Sequence, residues 1–473
     1  MTQIAIRDPR TGESDGAING ADNAKLDALA ADLRARQLAW AALEIGERAA
    51  RLVAFADALA AGAAAVQTAL ERDTGRRAIA RTEIAGVVAS LRGWSAQAPA
   101  LLPSGWTPGR SNSALRHKPT FAPYPLVGVI SPWNFPLTLS MIDTVPALLA
   151  GCAVLLKPSE VTPRFAAPLR AILEALGADA PPLAIADGDG ETGRGVIARV
   201  DAVCFTGSVA TGRKVARQCA ERMIPAFLEL GGKDPLIVLD NAPLDDAVTA
   251  ALRGSVLATG QACQSIERIY VAQTIFGAFV DRLAKAAAAC RFNWPEISQG
   301  EIGPIIFEKQ AEILDAQLAD AYAKGARALT GGKIEHHGGG LWLAPTVLVD
   351  VTHEMLVMRE ETFGPILPVM AFEATAEAVR LANDSIYGLS AAVFAGSIEE
   401  AEAIAVQLEA GAVSLNDAAL TALFYEAEKH AFGLSGLGGS RMGAAGFQRF
   451  LRRRALIAND GKPAPLSAFA EDA

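Results

Sequence analysis

From Val127 to about Asn416 the chain alternates short apolar runs with helix-forming stretches of about ten to fifteen residues. VGVISP precedes IDTVPALLAG, CAVLLKP precedes RFAAPLRAILEALGA, PLAIAD precedes ETGRGVIARV, and AVCFTG precedes SVATGRKVARQCAER. A second series starts at DPLIVLD, continues through LDDAVTAALRGSVLAT, and reaches RIYVA and FGAFVDRLAKAAAAC. Apolar runs this short are strands buried on both faces. Joined by helices, they can close only as parallel sheets with helical crossovers. The expected fold is therefore α/β, with two such units meeting near Leu230-Gly231-Gly232.

At 473 residues the chain exceeds what one core holds, and a 51 % hydrophobic share is ample for two or more. Before the alternation begins, Ala24 to Leu101 is Ala-rich with helical periodicity and reads as a set of helices. ALRHKPTFAPYP, Ala114 to Pro125, is extended, and its prolines exclude a central strand. The net charge of −9 argues against a nucleic-acid partner. The basic run Arg452-Arg453-Arg454 reads as a solvated or intersubunit helix end. The five cysteines have no CxxC spacing, and MTQIAIRDPRTGESDG has no apolar leader core, so a reducing cytoplasmic setting is expected. No apolar stretch suits a membrane span. HEMLV after Thr352 lacks the second histidine of a zinc motif, and no metal is expected.

Several stretches carry candidate chemistry beside a blander reading. GDGETG, Gly188 to Gly193, matches GxGxxG, yet it lies on the third unit and lacks a later acidic partner. Turn glycines and a helix start explain it. LLKPSE puts Lys157, Ser159 and Glu160 past a strand's C-terminal end, where ligands of open α/β sheets bind. FTGSVATG puts Gly207 and Ser208 at a helix start, an anion site or simply a cap. Together the two suggest a dinucleotide, with Glu160 accepting ribose hydroxyls and repelling a 2′-phosphate.

PWNFP holds Asn134 in a rigid turn, as an oxyanion donor or as a self-bonded turn amide. LELGGK sets Glu229 among apolar residues, as a general base or as a salt-bridge partner of Lys233. ATGQACQSIERIYV places Cys263 in a polar turn between apolar segments. A buried inert thiol is the ordinary reading, but this turn would surround the sulfur with amide N–H groups and favour thiolate.

VGVISPWNFP, LLKPSE, FTGS, LELGGKDP, GQACQSIERIYV and EETFGPILPV, in this order, resemble the aldehyde dehydrogenase superfamily over about Ala24 to Leu456. Within it the chain is most similar to bacterial members acting on bulky apolar or aromatic aldehydes. The resemblance implies Cys263 as nucleophile, Glu229 as base and Asn134 as oxyanion donor. It implies NAD as cofactor, with NADP as the alternative, held by Trp133, Lys157, Ser159, Glu160, Gly207, Ser208, Leu230, Gly231, Glu361 and Phe363. The reaction implied is oxidation of an aldehyde to the acid through a thiohemiacetal and a thioester. A coenzyme A-acylating enzyme and a semialdehyde dehydrogenase are the alternatives. Glu229 favours hydrolysis, because acylating relatives usually lack it.

The resemblance also implies an architecture. Residues 1–107 and 126–230 form a Rossmann-like cofactor domain, 231–430 a catalytic domain, and 108–125 with 450–462 a bridging sheet that makes a homodimer or homotetramer. Phe135, Leu139, Ile142 and Phe424 are expected to line an apolar substrate tunnel. Neither tunnel segment contains Lys or Arg, which favours a neutral aldehyde over a semialdehyde acid. Many relatives carry a lysine nine residues after the Asn of PWNFP; here Asp143 stands there and is expected to face the tunnel. AFGLSGLGGSRMGAAG departs from the relatives' Gly-rich block, and no role is transferred into it.

Overall fold

The computed structural model describes residues 2–471. Two mainly parallel sheets dominate it. In the first, the spatial order is Ala226–Glu229, Ala202–Thr206, Leu126–Ile130, Ala153–Lys157, Leu183–Ile185, all parallel, with Gly436–Leu437 added antiparallel at one edge. Every residue of Leu126–Ile130, Ala153–Lys157 and Ala202–Thr206 is buried, as continuous apolar runs require when helices cover both faces. The chain leaves Leu126–Ile130 toward one edge and later returns to its other side. The order therefore reverses beside that strand, and a crevice opens at the carboxyl ends there.

The second sheet runs Thr346–Val349, Ile366–Phe372, Ile266–Ala272, Asp234–Val238, Ala391–Phe394, Val413–Leu415, again parallel, with Arg327–Ala328 antiparallel outside it. Only Leu230 to Lys233 separates the last strand of the first chain series from the first strand of the second. Residues at this link lie at the carboxyl ends of the first sheet and at the amino ends of the second.

Four helices, Asn23–Ala42, Ile45–Ala61, Ala63–Thr74 and Arg77–Gln97, fill the Ala-rich N-terminal region as periodicity predicts. No single helix among the described residues is long and apolar enough to cross a membrane. The extended segment forms the strand Leu115–Pro123, paired antiparallel with Leu451–Asn459 over nine residues and joined by Thr107–Pro108. Arg452, Arg453 and Arg454 thus lie in a strand and not at a helix end. Pairing with Leu115–Pro123 overrides helical propensity there, and Arg452 and Arg453 stack over Tyr124 and Phe121, each 5.6 Å from the ring centre.

Candidate active site

Cys263 follows a tight elbow. Ala258, Thr259 and Gly260 all have positive φ, at 55°, 62° and 65°. Two of these are L-residues in the left-handed region, a strained arrangement that surrounding contacts must hold. Gly260 admits no side chain: a Cβ there would meet the Gly364 carbonyl at 2.5 Å and the Ser255 oxygen at 2.7 Å. Thr259 exchanges hydrogen bonds with Gly303, and buried Gln261 donates to the Pro304 carbonyl and accepts from Ile306 N–H. The Gln of the motif is a structural brace, so the cysteine beside it is held rigidly.

The thiol itself departs from expectation. Cys263 keeps partial exposure, yet burial pushes it up to about 12, against the opposing pull of the Lys429 ammonium. The turn does not by itself favour thiolate. Loss of solvation outweighs the local dipoles.

Asn134 is almost fully buried and donates Nδ2 to the Gln261 carbonyl at 3.0 Å. One amide hydrogen thus locks the side chain to the cysteine elbow, and an amide carries a second. The Arg76 guanidinium, fully enclosed, ties the same two loops together by donating to the Ala258 and Asn134 carbonyls. Glu83, six residues into the next helix from Arg77, accepts from Leu137 and Thr138 N–H at the start of helix Pro136–Ala150. No local pattern marked Arg76 or Glu83. They act on loops far along the chain.

Glu229 ends the strand Ala226–Glu229. Lys233 is not its partner. Lys233 Nζ reaches Glu267 at 2.9 Å and Thr362 Oγ1 at 2.7 Å. The Gly-Gly pair between them is a close approach of three segments. A Cβ on Gly232 would meet the Cys263 carbonyl oxygen at 2.7 Å, and one on Gly231 would meet Glu361 Oε2 at 2.4 Å. Gly232 N–H donates to Glu361 Oε1 at 3.2 Å. Burial, followed by the nearby Glu267 carboxylate, pushes Glu361 up to about 8. Glu267 also accepts from the N–H groups of Thr362 and Phe363, fixing Phe363 at φ 54°. The Phe363 ring meets the Trp133 ring edge-on, with centres 5.3 Å apart.

The expected cofactor residues gather at the carboxyl ends of the first sheet. Lys157 Nζ pairs with Glu160 at 2.8 Å at the end of Ala153–Lys157. The Ser159 hydroxyl accepts from Val161 N–H, which shapes the turn between them. Gly207 and exposed Ser208 open the helix Val209–Glu221, with Ser208 capping Thr211 N–H. Helix and strand pack closely here: a Cβ on Gly212 would strike Leu230 at 2.5 Å, and Leu230 N–H is bonded to Ser435. The GDGETG stretch likewise caps its own helix, the Asp189 side chain accepting from Glu191 and Thr192 N–H.

A profile of the aldehyde dehydrogenase family matches residues 1–456. The chain belongs to the aldehyde dehydrogenase family. It is an NAD(P)-dependent oxidoreductase that oxidises an aldehyde. A Mycolicibacterium smegmatis protein named a proposed succinate-semialdehyde dehydrogenase [NADP(+)] is 39 % identical over 393 residues, 82 % of this chain and 75 % of that protein. A Methylomonas protein named 4,4'-diapolycopene aldehyde oxidase is 43 % identical over 296 residues, 62 % of this chain and 55 % of that one. The structure of a candidate aldehyde dehydrogenase, PutA, from Anabaena variabilis superposes with a TM-score of 0.96 at 51 % identity, covering 98 % and 99 % of the two chains.

The residues expected to line the tunnel of this aldehyde dehydrogenase differ in exposure. Within helix Pro136–Ala150 only Thr138, Leu139 and Ile142 escape full burial, a single stripe at helical spacing, and Phe135 precedes it with partial exposure. Phe424 is 54 % exposed, in a loop tied to the cysteine turn by Thr421 Oγ1 and Gln264 Oε1 at 2.7 Å. Asp143 does not face the tunnel. It is 1 % exposed, accepting from Arg441 at 2.8 Å and from Arg449. It lies one helical turn beyond Leu139, but the two arginines hold it in the interior and neutralise it there.

Arg441 and Lys429 are the functional candidates that sequence reading passed over. Arg441 Nε lies 3.7 Å from Glu229 Oε1. The buried Lys429 Nζ has no hydrogen-bond partner among the described residues, and its charge acts on both Cys263 and Asp234. Both sit in the divergent block or just before it, where no motif flagged them. A basic residue close to the AFG turn was the available signal.

Proposed function

We propose that Cys263 attacks the aldehyde carbon, that Asn134 stabilises the resulting oxyanion, and that Glu229 activates water to release the acid. The observation that carries this reading is the three-way junction of the PWNFP turn, the Cys263 elbow and the Leu230–Lys233 link, joined through Asn134, Gln261 and Gly232. The second Asn134 amide hydrogen, with the Cys263 backbone N–H, is worth ~3 kcal/mol per donor to an oxyanion. Bound NAD(P) supplies the hydride acceptor. Glu361, buried with a single backbone donor at 3.2 Å, would hold ribose hydroxyls, and Lys157 with Glu160 would hold the adenosine ribose. The Trp133 and Phe363 rings would border the cofactor. Glu229 takes a proton from water as the water oxygen attacks the thioester; the C–S bond breaks and the Cys263 thiolate leaves.

NAD is the preferred cofactor in this reading, because a carboxylate at Glu160 would repel a 2′-phosphate. The substrate is a neutral aromatic or aliphatic aldehyde, supported by the apolar Phe135–Leu139–Ile142 stripe. A semialdehyde acid is the second reading. It is favoured by the Lys429 ammonium, which has no hydrogen-bond partner among the described residues and would suit a carboxylate, and by the name of the Mycolicibacterium relative. The division into a cofactor domain, a catalytic domain and a bridging arm follows the two sheets and the Leu115–Pro123 ribbon. We assign this arm to a homodimer contact, since Leu451–Asn459 is an edge strand with Ile457 70 % exposed.

Purified protein is given NAD without coenzyme A and offered benzaldehyde, hexanal or succinate semialdehyde, with Cys263→Ala and Lys429→Met in parallel. Reduced nicotinamide and free acid that vanish in Cys263→Ala support the mechanism; acid formation only with coenzyme A overturns the hydrolytic step. A Lys429→Met loss confined to succinate semialdehyde selects the second substrate reading.

A further inference from the structure

We infer that Arg441, anchored by Asp143, is the positioning residue of the deacylation base Glu229, a role that rests on the reading of Glu229 just given. Position 143 carries an acid, and the cation beside it comes from the C-terminal Gly-rich block. Asp143 accepts from Arg441 Nη2 at 2.8 Å and from Arg449. The same Nη2 donates to Thr206 Oγ1 at 2.8 Å. Thr206 is the last residue of its strand and lies opposite Glu229 in the parallel pairing of the two strands. One edge of the guanidinium is thus fixed to the helix and to the neighbouring strand. Its Nε, buried and without a hydrogen-bond partner among the described residues, is left facing the Glu229 carboxylate at 3.7 Å.

That distance is an ion pair without a hydrogen bond. A carboxylate gripped by two close N–H donors would have its lone pairs occupied and would make a poor base. One held by charge at 3.7 Å keeps its oxygens available to water while its rotation is restricted. Arg449 supports the arrangement from behind, its guanidinium 5.0 Å from the Phe227 and Phe450 rings. Phe227 lies two residues before Glu229 on the same strand. The carboxylates whose fields meet at Arg441 are Asp143 and Glu229, with the Cys204 and Cys263 thiols close by. The divergent stretch GGSRMG thereby delivers to the catalytic centre the cation that position 143 does not.

The test separates acylation from deacylation in the full-length enzyme with NAD. Arg441→Met is expected to form reduced nicotinamide in a fast burst of one equivalent per Cys263, then turn over roughly ten- to a hundredfold more slowly, a fraction of what a positioned base contributes. Hydroxylamine, which attacks a thioester without a base, should restore the slow phase. Arg441→Lys should recover part of kcat, and Asp143→Asn should give the same burst with a smaller deficit. A raised KM with unchanged kcat overturns the proposal and makes Arg441 a substrate contact. Burst and steady state falling together without hydroxylamine rescue overturn it too, leaving a merely structural role. If instead the wild type forms no Cys263-dependent reduced nicotinamide, the underlying reading of the site has failed and not the inference about Arg441.

Discussion

Beneath Phe363, Glu267 is 2 % exposed and accepts from Lys233 Nζ and from the N–H groups of Thr362 and Phe363. Thr362 in turn accepts from Lys233 and donates to Gln317. Behind Glu229, Asp143 is equally buried, but its two arginines leave both Nε atoms without partners among the described residues. The first cluster is closed: its donors and acceptors consume one another, and its product is geometry, including the strained φ of Phe363. The second is open, and its unspent donor points at a group proposed to act in the reaction. Burying charge demands compensation in both places. Only where some of that compensation is left incomplete can the cluster do something besides hold shape.

If the first cluster is closed, breaking it should damage the fold most. Lys233→Met leaves Glu267 buried without its cation and should destabilise the protein by about 3–5 kcal/mol, read as a lowered midpoint in urea. A variant as stable as wild type would show that the network is not closed at all. Glu229→Gln should do the reverse. Turnover falls by about a hundredfold or more, as for loss of a general base, while the urea midpoint stays put. Equal losses of stability would erase the distinction between the two clusters.

The pH dependence of the thiol sharpens it further. Because burial holds the Cys263 thiol up near 12 in the cofactor-free protein, the thiolate fraction grows across the whole neutral and mildly alkaline range. Iodoacetamide alkylation of Cys263 should therefore still rise by about tenfold per pH unit at pH 9, where an ordinary thiol is levelling off. A plateau near pH 8.5 would mean that the Lys429 charge overcomes burial. The smallest effect is expected at the rim of the crevice. Glu160→Ala should shift the NAD/NADP ratio of kcat/KM toward NADP by roughly fivefold, about 1 kcal/mol. No shift would remove the basis for NAD preference.

Local signals made much of this legible. The buried strands, the helical N-terminal region and the extended arm each follow from periodicity or from proline. Cys263, Asn134 and Glu229 stood out because a polar turn, a double-proline turn and a lone carboxylate among apolar residues are locally odd. Other readings failed where the deciding partner lay far along the chain. Nothing near LELGGK says that Lys233 belongs to Glu267, and the Arg452–Arg454 run reads as helix until Leu115–Pro123 pairs with it.

The sequence by itself determined the parallel α/β fold, the family, and which side chains are candidates for chemistry, since these rest on spacing along the chain. The tertiary structure alone decided which charges meet. Asp143 and Arg441 are separated by 298 positions, and Arg76 and Asn134 by 58. Electrostatic pairing depends on distance through space and on lost solvation, and neither quantity is written in any local stretch of residues.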